Sequence, residues 1–294
     1  MNIDLQFEQV LTYIDNHLDQ SLELSILARL TEVPVNHFEC VFQALYHTRL
    51  DDYIALLRIL EAAQLLGFDK QVSIEDIAKS AGYGSVSAFN QTFLSSIGQT
   101  PQEFRLSPDW GNLFHKQQPL KTLAQGHDSL TEADVHITIE TLESIPLVLI
   151  RHRAEAQYVP QSVKALAAFR QQHQLLPTHS RTFHFIYNQP HGIDDNYHID
   201  IAASVPVEKA TSLQNRVKQS PYFHFAEIPN GHYAVFTHRG TAADLHKKLA
   251  YLYGKWLVSS DYKLCEQPLI FERLDAGLDS SDMHVKVWLR ITDR

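Results

Sequence analysis

Apolar residues recur at helical spacing through the first third of the chain and at alternating spacing through its last half. Phe7, Val10, Leu11, Ile14 and Leu18 predict a first amphipathic helix. Leu24, Leu27, Ala28 and Leu30 mark a second, with Ser21 as its expected cap. After a break at Glu32-Val33-Pro34, a third helix carries Phe38, Val41, Phe42 and Leu45 on one face. A long apolar helix is expected from about Leu50 to Leu66, ended by Gly67. Ser73-Ile74-Glu75-Asp76 is a capping-box pattern that opens another helix. Gly82 suits the turn that follows, because a residue without Cβ tolerates positive φ. Ser85 then caps a helix reaching about Ile97. Thr100 caps one more, with Pro101 at the favoured first helical position.

The last half repeats itself at an offset of 86 residues. Ile150-Arg151-His152-Arg153 lies over Phe236-Thr237-His238-Arg239, Phe185 over Phe271, and the run His198–Val205 over His284–Ile291. Each copy reads strand, helix, strand, strand, with helices at about Val159–Gln172 and Ala242–Val258. Between the halves the chain is polar and aperiodic, with Trp110, Leu113 and Phe114 as expected packing anchors. The predicted organisation is therefore an all-α double helix-turn-helix domain (1–107), a linker (108–133) and a duplicated βαββ antiparallel-sheet domain (134–294). The fold class is multidomain, α followed by α+β.

The helical half also repeats itself. Leu27-Ala28 matches Ile77-Ala78, and Phe38 and Phe42 match Phe89 and Phe93. With Gly82 and the run Gly98-Gln99-Thr100-Pro101-Gln102-Glu103-Phe104-Arg105, roughly residues 4–107 resemble the DNA-binding domain of the AraC/XylS family of transcription regulators. In that family the two groove-entering helices usually read Leu/Phe-x-Arg-x-Phe-Lys. Here they read Phe38-Glu39-Cys40-Val41-Phe42-Gln43 and Phe89-Asn90-Gln91-Thr92-Phe93-Leu94. All four basic positions are replaced, by Cys40, Gln43, Gln91 and Leu94.

Charge sharpens that departure. Residues 1–107 hold six basic and fourteen acidic side chains, a net of 6 − 14 = −8, out of −9 for the whole chain. Asn36, His37, Ser85, Ser87, Asn90 and Gln91 remain as candidate DNA contacts. Asn and Gln can make bidentate bonds to adenine, and backbone amides at helix starts can hold phosphates. Phosphate neutralisation supplies most sequence-independent affinity, and an acidic domain gains little of it. Two readings stay open: a DNA-binding regulator, and a degenerate non-DNA-binding sensor or protein-interaction module with the same fold.

His238-Arg239-Gly240 after an apolar strand, within a duplicated βαββ pattern, resembles the GyrI-like ligand-binding domain over about residues 134–294. The resemblance implies one continuous antiparallel sheet with helices on one face and a ligand cleft on the other. Period-two logic puts Val285, Val287, Leu289 and Ile291 under the helices, with Leu269, Phe271 and Arg273. His284, Lys286, Trp288, Ile270 and Glu272 then face the cleft, as do His184, Ile186, His198, Asp200, Ala202 and Ser204 of the first copy. Multidrug-sensing members use a central carboxylate ringed by aromatics to bind cationic amphiphiles, and some relatives use a glutamate for hydrolysis. Glu272 matches that carboxylate best, and Trp288 and Tyr233 would frame it for a lipophilic cation. Asp200 and Lys286 occupy equivalent positions and are expected to pair across the pseudo-twofold axis. If Lys286 pairs with Glu272 instead, an anionic or neutral ligand becomes the better fit. A solvated sheet face with a structural ion pair is the bland alternative.

The remaining features narrow the field. The apolar run Ile145–Ile150 is far too short to span a bilayer, and Met1-Asn2-Ile3-Asp4 lacks a secretion signal's basic and apolar regions. Cys40 and Cys265 are the only cysteines, so no disulfide framework is expected and the reading is cytoplasmic. Seventeen histidines invite a metal, yet no His-x-x-x-His, His-Glu-x-x-His or Cys-pair pattern appears. No Gly-rich phosphate loop or nucleophile elbow is visible. The expected partners are double-stranded DNA, a small-molecule effector, and RNA polymerase or another protein. No cofactor, metal, catalytic residue or membrane is expected.

Overall fold

The computed structural model describes residues 3–116, 131, 134–176, 179–188, 196–274 and 283–293. It divides into two compact units, Met1–Ser129 with Ala250–Ser259, and Leu130–Leu249 with Ser260–Arg294. Among the described residues no helix is long and apolar enough to cross a membrane.

The helical unit begins with α1 (Ile3–Asp15), α2 (Leu24–Arg29), α3 (Val35–Tyr46) and the long α4 (Leu50–Phe68). It continues with α5 (Ile74–Ser80), α6 (Val86–Ile97), α7 (Pro101–Leu106) and α8 (Trp110–Lys116). The pairs α2–α3 and α5–α6 are the two helix-turn-helix repeats, joined by α4. Phe7, Phe38 and Phe42 fill the first core; Phe89, Phe93 and Phe104 fill the second with Ile59, Ala62 and Leu66 of α4. Gly82 has φ +74°, and a Cβ there would stand 2.6 Å from the Leu18 carbonyl and 2.8 Å from Arg58 Cζ. Arg58 is itself tied to the Leu18 and Gln20 carbonyls, so this turn admits only glycine.

Three local expectations change. Ser21 does not cap α2; Glu23 sits at that position without a side-chain cap. Gly67 does not end α4, which runs to Phe68. Its bare Cα lets the Trp110 indole close in, since a Cβ would stand 2.5 Å from Cζ2. Trp110 begins a helix rather than an irregular linker, and it packs on Phe68 and Phe104. Leu113 is buried beside it; the side chain of Phe114 and the rest of the linker through Leu130 lie outside the described residues.

The second unit is one antiparallel sheet in the order β1-β6-β9-β8-β3-β4-β2-β5, with β7 beside β9. Its strands are β1 (Thr138–Leu142), β2 (Ile145–Glu155), β3 (Thr182–Ile186), β4 (Asn196–Ser204), β5 (Phe223–Ile228), β6 (Gly231–Gly240), β7 (Tyr262–Leu264), β8 (Leu269–Arg273) and β9 (Met283–Asp293). The helices are α9 (Val159–Gln172), α10 (Val207–Val217) and α11 (Ala242–Tyr251). The two copies are β2-α9-β3-β4 and β6-α11-β8-β9, meeting at the β3–β8 pair. His152 and His238 keep equivalent jobs, both buried and both bonded through Nε2 to a backbone carbonyl two or three residues on, at 3.1 Å.

One face of the sheet packs Val148, Phe223 and Phe225 against Phe169, Leu213 and Val217 of α9 and α10. The other gathers Leu147, Leu149, Phe183, Phe185, Ala202, Tyr233, Val235, Ile270 and Trp288. Strands near both edges join that second cluster, so the sheet curls around it. The repeat has one slip. Phe185 lies opposite Asp200, and Glu272 lies opposite Lys286, the 86-residue mate of Asp200. For this strand the offset is 87, and a shift of one residue exchanges the two faces. His184 and Ile186 therefore lie on the helix-covered side, not in the cleft: His184 is opposite Phe271. Burial, with Arg273 nearby, pushes the His184 imidazole down to about 4.

Candidate DNA-reading face and effector cleft

The two candidate reading helices present different surfaces. In α6, Ser87, Asn90, Gln91 and Leu94 are exposed on the side opposite the buried Phe89, Phe93 and Ile97. Ser85 is also exposed, and its hydroxyl accepts the Ala88 N–H at 3.2 Å, capping the helix at its start. Four of the six candidate DNA contacts thus share one open face.

In α3 the outcome differs. His37 is 1% exposed, with Nδ1 hydrogen-bonded to the Tyr253 hydroxyl at 2.9 Å. Tyr253 belongs to a π-helical turn, Leu252–Trp256, within the 250–259 segment of the helical unit. Gly254 of that turn lies so close to α3 that a Cβ would stand 2.8 Å from the Ala44 carbonyl oxygen. Cys40 is one turn along α3 from His37; burial and neighbouring Glu39 push its thiol up to about 12. The Tyr253 phenol is raised too, by burial first and then by Cys40. His37, Cys40 and Ala44 lie along one side of α3; His37 and Ala44 are buried there, and Cys40 is half-buried. His37, a candidate DNA contact, is thus buried rather than exposed in this arrangement. Asn36, beside it, is half-buried.

Three basic side chains of this unit make local contacts. Arg105 donates to the Val72 carbonyl at 2.7 Å, as Arg58 does to carbonyls beside Gly82. Arg49 lies 3.8 Å from Asp51.

The candidate effector site of the second unit is centred on Glu272, which is 7% exposed. It lies opposite Phe183 on β3 and Lys286 on β9. Arg181 binds it in a fork: Nε donates to Oε1 at 2.6 Å and Nη2 to Oε2 at 2.7 Å. The Trp288 indole N–H adds a third bond to Oε2 at 3.1 Å. The guanidinium lies 4.9 Å from the Phe183 ring centroid and 5.6 Å from that of Trp288. Charge-assisted, bidentate and stacked, this is the strong form of the Arg–carboxylate pair.

The other predicted cleft residues are placed as follows. Asp200 is buried and accepts from Arg153 Nη2 at 2.7 Å and from the Tyr187 hydroxyl at 2.9 Å. Lys286 donates to Glu140 at 2.9 Å and sits 4.3 Å over the Trp288 ring. Neither expected pairing of Lys286, with Asp200 or with Glu272, forms. Glu140 on β1 and Arg153 on β2 occupy those places instead. Tyr233 is fully buried, packed edge-on to Trp288 at 6.1 Å with its hydroxyl donated to the Pro229 carbonyl. It shapes the wall behind Trp288.

Arg181, Arg153, Glu140 and Tyr187 are the cleft residues that sequence reasoning missed. A signal existed for Arg181, two residues before Phe183 and so on the same side once the strand's face is set correctly. Among the described residues no three His, Cys, Asp or Glu side chains converge to hold a metal ion.

Comparison with known proteins fits this division. Residues 136–292, more than half of the chain, match the family model for the GyrI-like small molecule binding domain. The chain belongs to the GyrI-like family. Residues 27–107 match a helix-turn-helix domain of the AraC type, so the GyrI-like domain is carried behind a DNA-binding fold. The melibiose operon regulatory protein of Escherichia coli (strain K12) is 34% identical over 97 residues, covering 33% of this chain and 32% of that protein. The regulatory protein SoxS of the same strain is 31% identical over 98 residues, 33% of this chain and 91% of that one. Both matches are about a third of this chain long, and the match spans about a third of the melibiose regulator's length. The transcriptional regulator Rob of Salmonella typhimurium (strain LT2) is similar across both domains of this GyrI-like chain, 23% identical over 256 residues, 83% of this chain and 82% of that one.

Proposed function

We propose that this GyrI-like protein is a cytoplasmic, non-enzymatic transcription regulator that binds duplex DNA and responds to a small-molecule effector. Residues 1–107 form the DNA-binding part, 108–133 the connector and 134–294 the sensor. DNA is read by Ser87, Asn90 and Gln91 of α6, with the Ser85 cap holding the helix start against the backbone. The observation that carries this reading is the exposed polar face of α6 on a fully packed second helix-turn-helix. The effector sits over Trp288 and Glu272, in the cleft bounded by Asp200 and Lys286 and backed by Tyr233. In this reading Glu272 is a binding group, its oxygens held by Arg181 and the Trp288 indole N–H.

Mobility-shift titrations at low and moderate salt test the proposal. Selective retardation of one duplex, weakening as salt rises, is the expected result. No sequence preference even at low salt would remove the regulator reading. The −8 charge of residues 1–107 and the covered face of α3 favour a second reading, a protein-interaction sensor that keeps the fold. A pull-down that returns a protein partner and no DNA selects it.

A further inference from the structure

The central carboxylate of the cleft already holds a cation, and that cation belongs to the chain. Arg181 meets both oxygens of Glu272 edge to edge, stacks near Phe183 and Trp288, and leaves only the indole N–H as another donor to the carboxylate. Its backbone is pinned: the Arg181 N–H donates to Ser204 Oγ at 2.7 Å, and the Arg181 carbonyl accepts the Ser204 N–H at 2.9 Å. The side chain is less committed. It is 40% exposed, whereas the Glu272 side chain is 9% exposed.

That asymmetry sets what can replace what. Swinging Arg181 outward moves a half-solvated guanidinium into water at small cost. Leaving Glu272 behind without a partner strands a buried charge, which is strongly unfavourable. The charged carboxylate is therefore stabilised by a cation beside it, either the resident one or a ligand's. A neutral molecule supplies none. A quaternary ammonium supplies charge but no N–H, leaving Glu272 with the Trp288 bond alone. A planar cation with two parallel N–H donors reproduces both bonds and the stacking on Phe183 and Trp288.

We propose that Arg181 is an internal stand-in for the effector, and that the cleft selects planar N–H cations of the amidinium or guanidinium class, which bind by displacing it. The inference rests on the cleft being the effector site, and Lys286 is no obstacle to it, since Glu140 neutralises that ammonium. Binding then frees the Arg181 side chain.

Benzamidinium and phenyltrimethylammonium, two phenyl cations of similar size, test this in the full-length protein by Trp fluorescence and thermal shift. Arg181→Ala is expected to bind benzamidinium at least tenfold tighter than wild type and to recover stability on binding it. Its affinity for phenyltrimethylammonium is expected to change much less. Arg181→Ala/Glu272→Gln removes both charges, so it folds without a stranded carboxylate and is expected to bind neither. Should Arg181→Ala fail to fold, Arg181→Lys keeps the charge without the fork and is expected to gain affinity for benzamidinium by a few-fold. Equal benzamidinium affinity in wild type and the folded variant overturns the proposal, as does a preference for the quaternary cation. Because these readings need no DNA, loss of DNA binding with benzamidinium selectivity intact would sink the regulator reading alone.

Discussion

The two helix-turn-helix units share a fold and differ in how they are finished. The second is capped by its own side chains: Ser73 on Asp76, Ser85 on Ala88, and a full capping box between Thr100 and Glu103. In the first, α2 and α3 begin at Glu23 and Pro34 with no side-chain cap. Instead, α3 leans on residues 250–259, a segment some 200 positions later in the chain. A unit that completes itself leaves its reading helix free. A unit completed by another segment gives up one face of that helix to do so. The lesson is that a repeated motif need not keep a repeated surface. Here Cys40, half-buried beside His37, stands where the AraC-type family usually has a basic residue.

The largest expected effects test whether the two cores are equals. Phe42→Ala and Phe93→Ala each empty a fully buried ring site and should cost about 3–5 kcal/mol apiece in urea denaturation. A much smaller cost for Phe42→Ala would mean that the first unit depends on its docked segment more than on its core. Next comes DNA readout. Asn90→Ala with Gln91→Ala should weaken binding by on the order of tenfold or more, since each good base contact contributes about 1–3 kcal/mol. Asn36→Ala should change it by less than about twofold on the same scale. Equal losses at Asn36 and at Asn90/Gln91, measured by fluorescence anisotropy, would erase the distinction between the units.

Tyr253→Phe should destabilise the protein by about 1–3 kcal/mol, because it removes the Tyr253 hydroxyl from the buried His37 Nδ1. Alkylation kinetics in a Cys265→Ser background provide a companion reading. Gly254→Leu cannot seat against Ala44, so Cys40, whose thiol is held up to about 12, should react faster in that variant. Unchanged kinetics would mean that the segment does not guard α3.

The smallest effect is pH-dependent. The Glu103 carboxyl is held below its usual 4.5 first by the Thr100 backbone N–H and then by its hydroxyl. A lowered folded-state value means that its stabilising contribution is present above the usual carboxylate range. It is lost as pH falls through the depressed value. Acid titration followed by amide exchange should therefore loosen the start of α7 only once pH falls below the usual carboxylate range, and Glu103→Gln should flatten that response. No difference between the two proteins would remove the capping box from the comparison.

Much of this was legible in the chain. Caps at Ser73, Ser85 and Thr100 and the turn at Gly82 are local devices, set by bonds within three or four residues, and they appear where the pattern put them. Periodicity also found both repeats and the strand faces around Asp200, Glu272 and Trp288. It failed at β3, where a strand with both faces buried, Phe183 and Phe185 on one side and Ile186 on the other, gives no alternation to choose by. It also failed at Ser21 and Gly67, where residue type suggests a boundary but packing against Trp110 and the α1–α2 turn decides it.

The amino-acid sequence by itself determined the two domains, their internal duplications and the loss of the basic positions on both reading helices. Those are properties of neighbours along the chain, and hydrophobic period and capping chemistry encode them directly. Tertiary structure alone decided that His37 is sealed by Tyr253 and that Glu272 is claimed by Arg181 rather than Lys286. Each of those bonds joins groups at least 91 residues apart. Which partner arrives first depends on strand register and helix docking, and no local pattern records either.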